Sequence, residues 1–174
     1  TKYSLEIGEK EYTAVIEEVE KSADKAPFPY KPLLKSFLAD LYYSYFTSNR
    51  FAFYERGDVE GSENIDSWGL KKILKKITAL HLESLGEEAR LSKIDISDFS
   101  EIISIGTKSA NLRPTLYDFL AHRAIDFFLR GDLMPEKEAG FNEITDTAYF
   151  AMPTEFAAMK ISKTNDSPLL NALA

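Results

Sequence analysis

The residue types able to do chemistry are few and scattered. Two histidines, His81 and His122, each stand alone on a segment with helical spacing. Glu83 lies two residues from His81, and side chains two apart on a helix point to different faces, so the two form no metal pair. A catalytic or ligating role for either histidine needs partners from other helices, and a structural or surface place is the simpler reading. Glu17, Glu18 and Glu20 contain enough carboxylates for an acid and a base, but they sit on the wet side of a helix and read as a solvated charge run. His122-Arg123-Ala124 lacks the aspartate of a kinase catalytic loop. The sequence has no glycine-rich phosphate loop, no GxSxG elbow and no HExxH. It has no cysteine either, which excludes a thiol nucleophile, a thiolate zinc site and a disulfide framework. The residues therefore nominate no catalytic side chain, no metal ligand and no cofactor.

Aromatic side chains are the other candidates. They are dense between positions 28 and 68, where they are able to furnish a groove for a sugar or a peptide. Most recur at helical spacing, which is the signature of core packing. Four are nominated as a candidate interaction surface: Tyr43, which lies off the apolar files of its helix, with Phe53, Tyr54 and Tyr149. Lys71, Lys72, Lys75 and Lys76 have the residue type to bind an anion, and read first as the wet face of a helix.

The elements that must position these residues are helical. Positions 30–54 dominate. Leu34, Leu38, Leu41 and Tyr45 form one apolar file, and Leu33, Phe37, Tyr42 and Phe46 form a second. Together they cover most of a helix, which makes this the central one, packed on several sides. Pro32 is tolerated in its first turn. Before it, 3–22 reads as a helix with Tyr12, Val15, Ile16 and Val19 on one face, joined through the Pro27-Pro29 segment. After it, 50–56 is a short extended piece or a frayed helical end. Asp66 is expected to cap a third helix running to Leu85, with Trp68 in its first turn and Leu70, Ile73, Leu74, Ile77, Leu80 and Leu85 buried. A loose acidic segment follows. Asp98 with Glu101 predicts a capping box for a short helix over 99–105. Thr115 with Asp118 predicts another cap, for a helix over 116–130 that buries Leu116, Phe119, Leu120, Ala124, Phe127 and Phe128.

The fold class expected is all-α: an irregular helical bundle or short solenoid of about five main helices. Its 174 residues are expected to make a single domain. Residues 131–165 are expected to be mostly irregular, and 167–174 to start a truncated helix, with Ser167 and Pro168 at its cap and first turn. A start at Thr1 and that cut-off helix lead to the expectation of a segment taken from a longer chain. Hydrophobic residues make up 44 % of the sequence, as in globular proteins. The net charge of −7 disfavours nucleic acid and anionic membranes as partners. No apolar run approaches the ~20 residues needed to span a bilayer.

Three blocks carry a family resemblance: PLLKSFLADLYYSYF at 32–46 with Asn49-Arg50-Phe51, IDSWGL at 65–70, and LRPTLYDFLAHRAIDFF at 112–128. In this order they resemble the N-terminal helical region of large alpha-2-macroglobulin-like proteins of Bacteroidetes, from about Tyr12 onward. The resemblance implies a cell-envelope protein (periplasm or outer membrane) whose parent traps or inhibits proteases through a bait segment and, in many members, a cysteine-containing thioester. This chain has no cysteine and no sign of the β-sandwich domains that bear those elements, so no functional residue carries over. Its implied partners are the downstream domains of the parent and, through the parent, proteases. The expected function is thus a non-catalytic helical scaffold or interaction domain. The alternative is a tetratricopeptide-like module that binds a glycan or peptide through exposed aromatics.

Overall fold

The computed structural model describes residues 9–57, 64–104, 112–130 and 152. The fold is all-α. Among the described residues there are six α-helices: α1 (Glu9–Lys25), α2 (Tyr30–Ser48), α3 (Arg50–Glu55), α4 (Leu70–Ser84), α5 (Glu88–Leu91) and α6 (Leu116–Phe128). Two 3-10 turns, Ile65–Ser67 and Ile96–Phe99, punctuate them. The chain divides into two units, Thr1–Ile125 and Asp126–Ala174. In the second, Phe127 and Phe128 are both buried and their rings meet edge to face at 5.4 Å. The expectations for 131–165 and 167–174 fall outside the described residues.

The first unit is built on α2, which packs chiefly against α4 and α1. Leu33, Leu38, Ala39, Tyr42, Tyr45 and Phe46 are buried along it, and Leu34, Phe37 and Leu41 are half-buried. Small Ser36 and Ala39 are wholly enclosed, so neighbouring helices approach α2 closely there. On α4 the three-and-four spacing buries Ile73, Leu74, Ile77 and Leu80, and Thr78, His81 and Ser84 go in beside them. Ser84 satisfies its hydroxyl by donating to the carbonyl of His81 at 2.7 Å, which is how a polar residue is accommodated inside.

A further core of Leu33, Leu91, Ile96, Phe99, Ile103, Leu116 and Leu120 joins the end of α2 to α5, the second turn and α6. Backbone groups fix its geometry. Asp95 and Thr115 form an isolated antiparallel bridge. The Ile96 N–H donates to the Pro114 carbonyl and the Leu116 N–H to the Ile94 carbonyl, each at 2.9 Å. Leu116 starts α6 under the expected cap: the Thr115 N–H donates to Asp118 Oδ2 at 3.0 Å, and the Asp118 N–H donates back to Thr115 Oγ1 at 3.2 Å.

Three local expectations are corrected and one alternative is settled. Asp66 does not cap the third helix. Asn64 Oδ1 captures the Asp66 N–H at 3.0 Å and turns 65–67 into a 3-10 turn, after which Trp68 and Gly69 are extended and α4 starts at Leu70. Asp66 instead accepts from the Tyr45 hydroxyl at 2.5 Å. Asp98 is likewise displaced as a cap by Asp95, whose side chain takes the Ser97 N–H at 2.8 Å and closes the turn three residues earlier. A hydrogen bond from the Ser97 side chain, together with that from its N–H, holds the Asp95 carboxyl below its usual range. Of the two readings of 50–56, the helical one holds over 50–55, where Phe53 folds back onto Tyr45 and Phe46. The acidic segment contains a helical turn, α5, which buries Leu91.

Candidate interaction cleft

The four nominated aromatics do not assemble into one exposed groove. Phe53 is fully enclosed, with its ring edge-on to Tyr45 at 5.9 Å and to Phe46 at 5.7 Å; it is a core residue. Tyr43 is half-buried and tilted against Phe46 at 6.2 Å. Tyr54 is exposed, with the Arg50 guanidinium 5.6 Å above its ring. Tyr149 lies outside the described residues. Phe51, three residues before Tyr54, is 85 % exposed and was not nominated. The apolar files of α2 end before it, so its spacing separates Phe51 from Phe53 poorly.

The histidines are apart as well. His81 is buried on α4 and His122 is half-buried on α6. Among the described residues no group of three or more histidine and carboxylate side chains is placed to hold a metal ion.

A concave feature among the described residues of the first unit lies where α1 and α4 both rest on α2. It is a cleft of about 810 Å³, lined from α1 by Glu17, Glu20, Lys21 and Asp24 and from α4 by Lys72, Lys75, Lys76 and Ala79. Tyr42 and Trp68 line it too, their rings stacked at 5.9 Å and 9° from parallel. The lysines expected on a wet face therefore divide. Lys71 and Lys75 are exposed. Lys72 extends over the Trp68 ring, 4.9 Å from its centre, and Lys76 lies 5.7 Å from the centre of Tyr42. Lys72 and Lys76, four residues apart, share one stripe of α4, but Trp68 precedes the helix in extended backbone, so sequence spacing gave no signal of its contact with Lys72.

The polar groups in the cleft are tied to each other. Lys76 Nζ pairs with Glu20 Oε1 at 2.5 Å, and the Tyr42 hydroxyl donates to Glu20 Oε2 at 3.2 Å. Burial, reinforced by the Glu20 charge and that hydrogen bond, pushes the Tyr42 hydroxyl far above its ordinary value. Tyr42 is thus a fixed donor and no base. Lys35 pairs with Glu83 nearby, and a small pocket of about 70 Å³ lies by the two ion pairs, lined by Ala23, Leu38 and Leu80. That pocket is too small for an organic ligand of drug-like size.

A second polar joint holds α6 to α2. The Arg123 guanidinium lies 4.9 Å from the Phe37 ring centre and 5.3 Å from that of Phe119. Its Nε–H donates to buried Ser36 Oγ at 2.8 Å, and its outer nitrogen pairs with Asp40. The planar fork of arginine suits this sandwich in a way lysine does not. Comparison of the chain with protein-family models, curated proteins and solved structures gave no match.

Proposed function

We propose that this chain is a non-catalytic helical scaffold and interaction domain. The observation that carries the reading is the use made of its polar side chains. Glu20, Lys76, Tyr42, Ser36 and Arg123 are all engaged in joints between helices, where they fix the angle of one helix on another. Such joints suit a part that holds its neighbours in place. The resemblance of the 32–46, 65–70 and 112–128 blocks to the N-terminal helical region of Bacteroidetes alpha-2-macroglobulin-like proteins supports a place in the cell envelope, within a parent that traps proteases. There the domain positions the downstream domains of the parent. The burial of Phe53 takes one ring out of the set on which the glycan- or peptide-binding alternative rests.

The test uses the parent protein with and without the segment 12–161. Each form is incubated with a protease, and the remaining activity is read on a large protein substrate and on a small peptide. The scaffold reading expects protection of the large substrate to fall in the shortened form while peptide cleavage is unchanged. Equal protection by both forms, with the shortened one still folded, overturns it.

A further inference from the structure

We propose that α1 is an exchangeable element, and that this chain pairs with a second copy of itself by laying its α1 on the α2–α4 pair of that copy. The first observation is how little holds α1 down. Among its residues 12–25, Ile16 and Ala23 are the two buried side chains, whereas α4 buries seven residues. It packs chiefly on α2, and its side toward α4 is the open cleft of about 810 Å³. Lys76 reaches Glu20 across that cleft with both side chains partly wet, 33 % and 34 % exposed. Lifting α1 therefore leaves the α2–α4 packing in place, which puts this opening at the low end of the local unfolding free energies.

What α1 leaves behind names the occupant. Tyr12 stacks on Tyr45 at 5.9 Å and its hydroxyl donates to the Leu41 carbonyl at 3.4 Å, while Ala23 and Leu38 line one small pocket. Lifting α1 uncovers that apolar strip of α2, with the Tyr42 hydroxyl and the Lys76 ammonium at its margin, both of which reach Glu20. A helix that covers the strip needs a ring for Tyr45 and, two turns further on, a carboxylate for Lys76 and Tyr42. Tyr12, Ile16 and Glu20 follow one another at four-residue steps and supply this on one stripe. The α1 of a second copy carries the same stripe by identity. Exchange then remakes each contact that it breaks, and the pair differs from two single chains in the linker and in the entropy of association. The linker suits the change. It is Ala26-Pro27-Phe28-Pro29, and proline steers the residue before it toward extended backbone, so Ala26 and Phe28 favour the straightened form. Four extended residues carry α1 roughly 14 Å away from its own α2.

The test starts with the native chain at millimolar concentration, warmed to just below its thermal midpoint so that α1 opens, then cooled and sized by chromatography with light scattering. A species of twice the monomer mass is expected, in a share that grows with concentration. Monomer alone at every concentration overturns the proposal. Charge reversals then separate exchange from ordinary pairing. E20K sets two ammoniums against each other and K76E sets two carboxylates, so each variant is expected to be less stable than the native chain. When the two are mixed, opposite charges meet at both joints only if the α1 of each lies on the α4 of the other. The mixture, warmed and cooled in the same way, is expected to give heterodimer in about tenfold excess over either homodimer. It is also expected to melt about 3 °C above either variant alone. The double variant E20K/K76E restores the pair within one sequence, so it is expected to dimerise with itself and not with the native chain. Heterodimer no more abundant than random mixing gives, a midpoint of the mixture no higher than those of its parts, or free mixing of E20K/K76E with the native chain each overturns the proposal. The last comparison decides the question even where a single reversal fails to fold.

Discussion

Replacing Arg123 with alanine removes the joint between α6 and α2 at its centre. The Nε–H bond to Ser36 Oγ, at 2.8 Å, is charge-assisted and made to a wholly buried residue, which places it at about 1.5–3 kcal/mol. The two ring contacts, at 4.9 and 5.3 Å, add about 0.5–1 kcal/mol each. The Asp40 pair adds little, since that carboxylate is 54 % exposed and solvent screens it. These contributions overlap, and the freed Ser36 hydroxyl can turn to its own helix backbone, so the expected loss is about 2–4 kcal/mol. Urea unfolding followed by far-ultraviolet circular dichroism measures it, and the same loss lowers the thermal midpoint by about 5–15 °C for a chain of this size. Arg123→Lys keeps the charge beside Asp40 but not the planar fork, and should recover less than half of the stability. A loss below about 1 kcal/mol for Arg123→Ala, or full recovery by lysine, refutes the sandwich as the source of the stability.

Leu38→Ala and Leu120→Ala each empty a fully enclosed site and should cost about 2–5 kcal/mol by urea unfolding; a loss under about 1 kcal/mol counts against the burial of these helix faces. Tyr42 ionises later in the folded chain than in the unfolded one, because burial and Glu20 raise it from the ordinary value of 10.0. The stability that depends on its protonated hydroxyl is therefore whole below about pH 10 and drains as pH rises above that value, where the unfolded chain loses the proton first. Tyr42→Phe should flatten this alkaline decline in urea midpoints taken from about pH 8 to pH 11; parallel curves for the two proteins would show that Tyr42 is not its source.

The parts of the fold that could be read from the sequence are those governed by local periodicity. The two apolar files of α2, the buried stripe of α4 and the reciprocal Thr115–Asp118 cap all follow from spacing along one helix, and spacing is visible in a single chain. The misplaced caps show where this stops. Asn64 and Asp66, like Asp95 and Asp98, are all residues that cap well. The choice between them was made by long-range contacts: Tyr45 takes Asp66, and the bridge from Asp95 to Thr115 sets the second turn. Phe53 illustrates the same limit. An alternation over Phe51 and Phe53 puts both rings on one side of a strand; the helix over 50–55 turns them apart, and only Phe53 reaches Tyr45 and Phe46. The cleft was invisible for a further reason. Its rims come from helices about fifty residues apart in sequence, Glu20 and Lys76 being 56 positions apart, so no local pattern records their meeting.

Hydrogen exchange along the native chain tests most directly the claim that α2 is the fixed spine from which the domain holds its neighbours. Leu38, Ala39, Tyr42 and Phe46 are enclosed and bonded within one uninterrupted helix, so their amides should exchange only on global opening and be the slowest in the first unit. Short α3 and α5, each anchored by a single buried side chain, should exchange faster by several orders of magnitude. If the amides of Leu38 to Phe46 instead exchange as quickly as those of α3, the spine opens locally, and the domain cannot serve as the rigid support proposed for it.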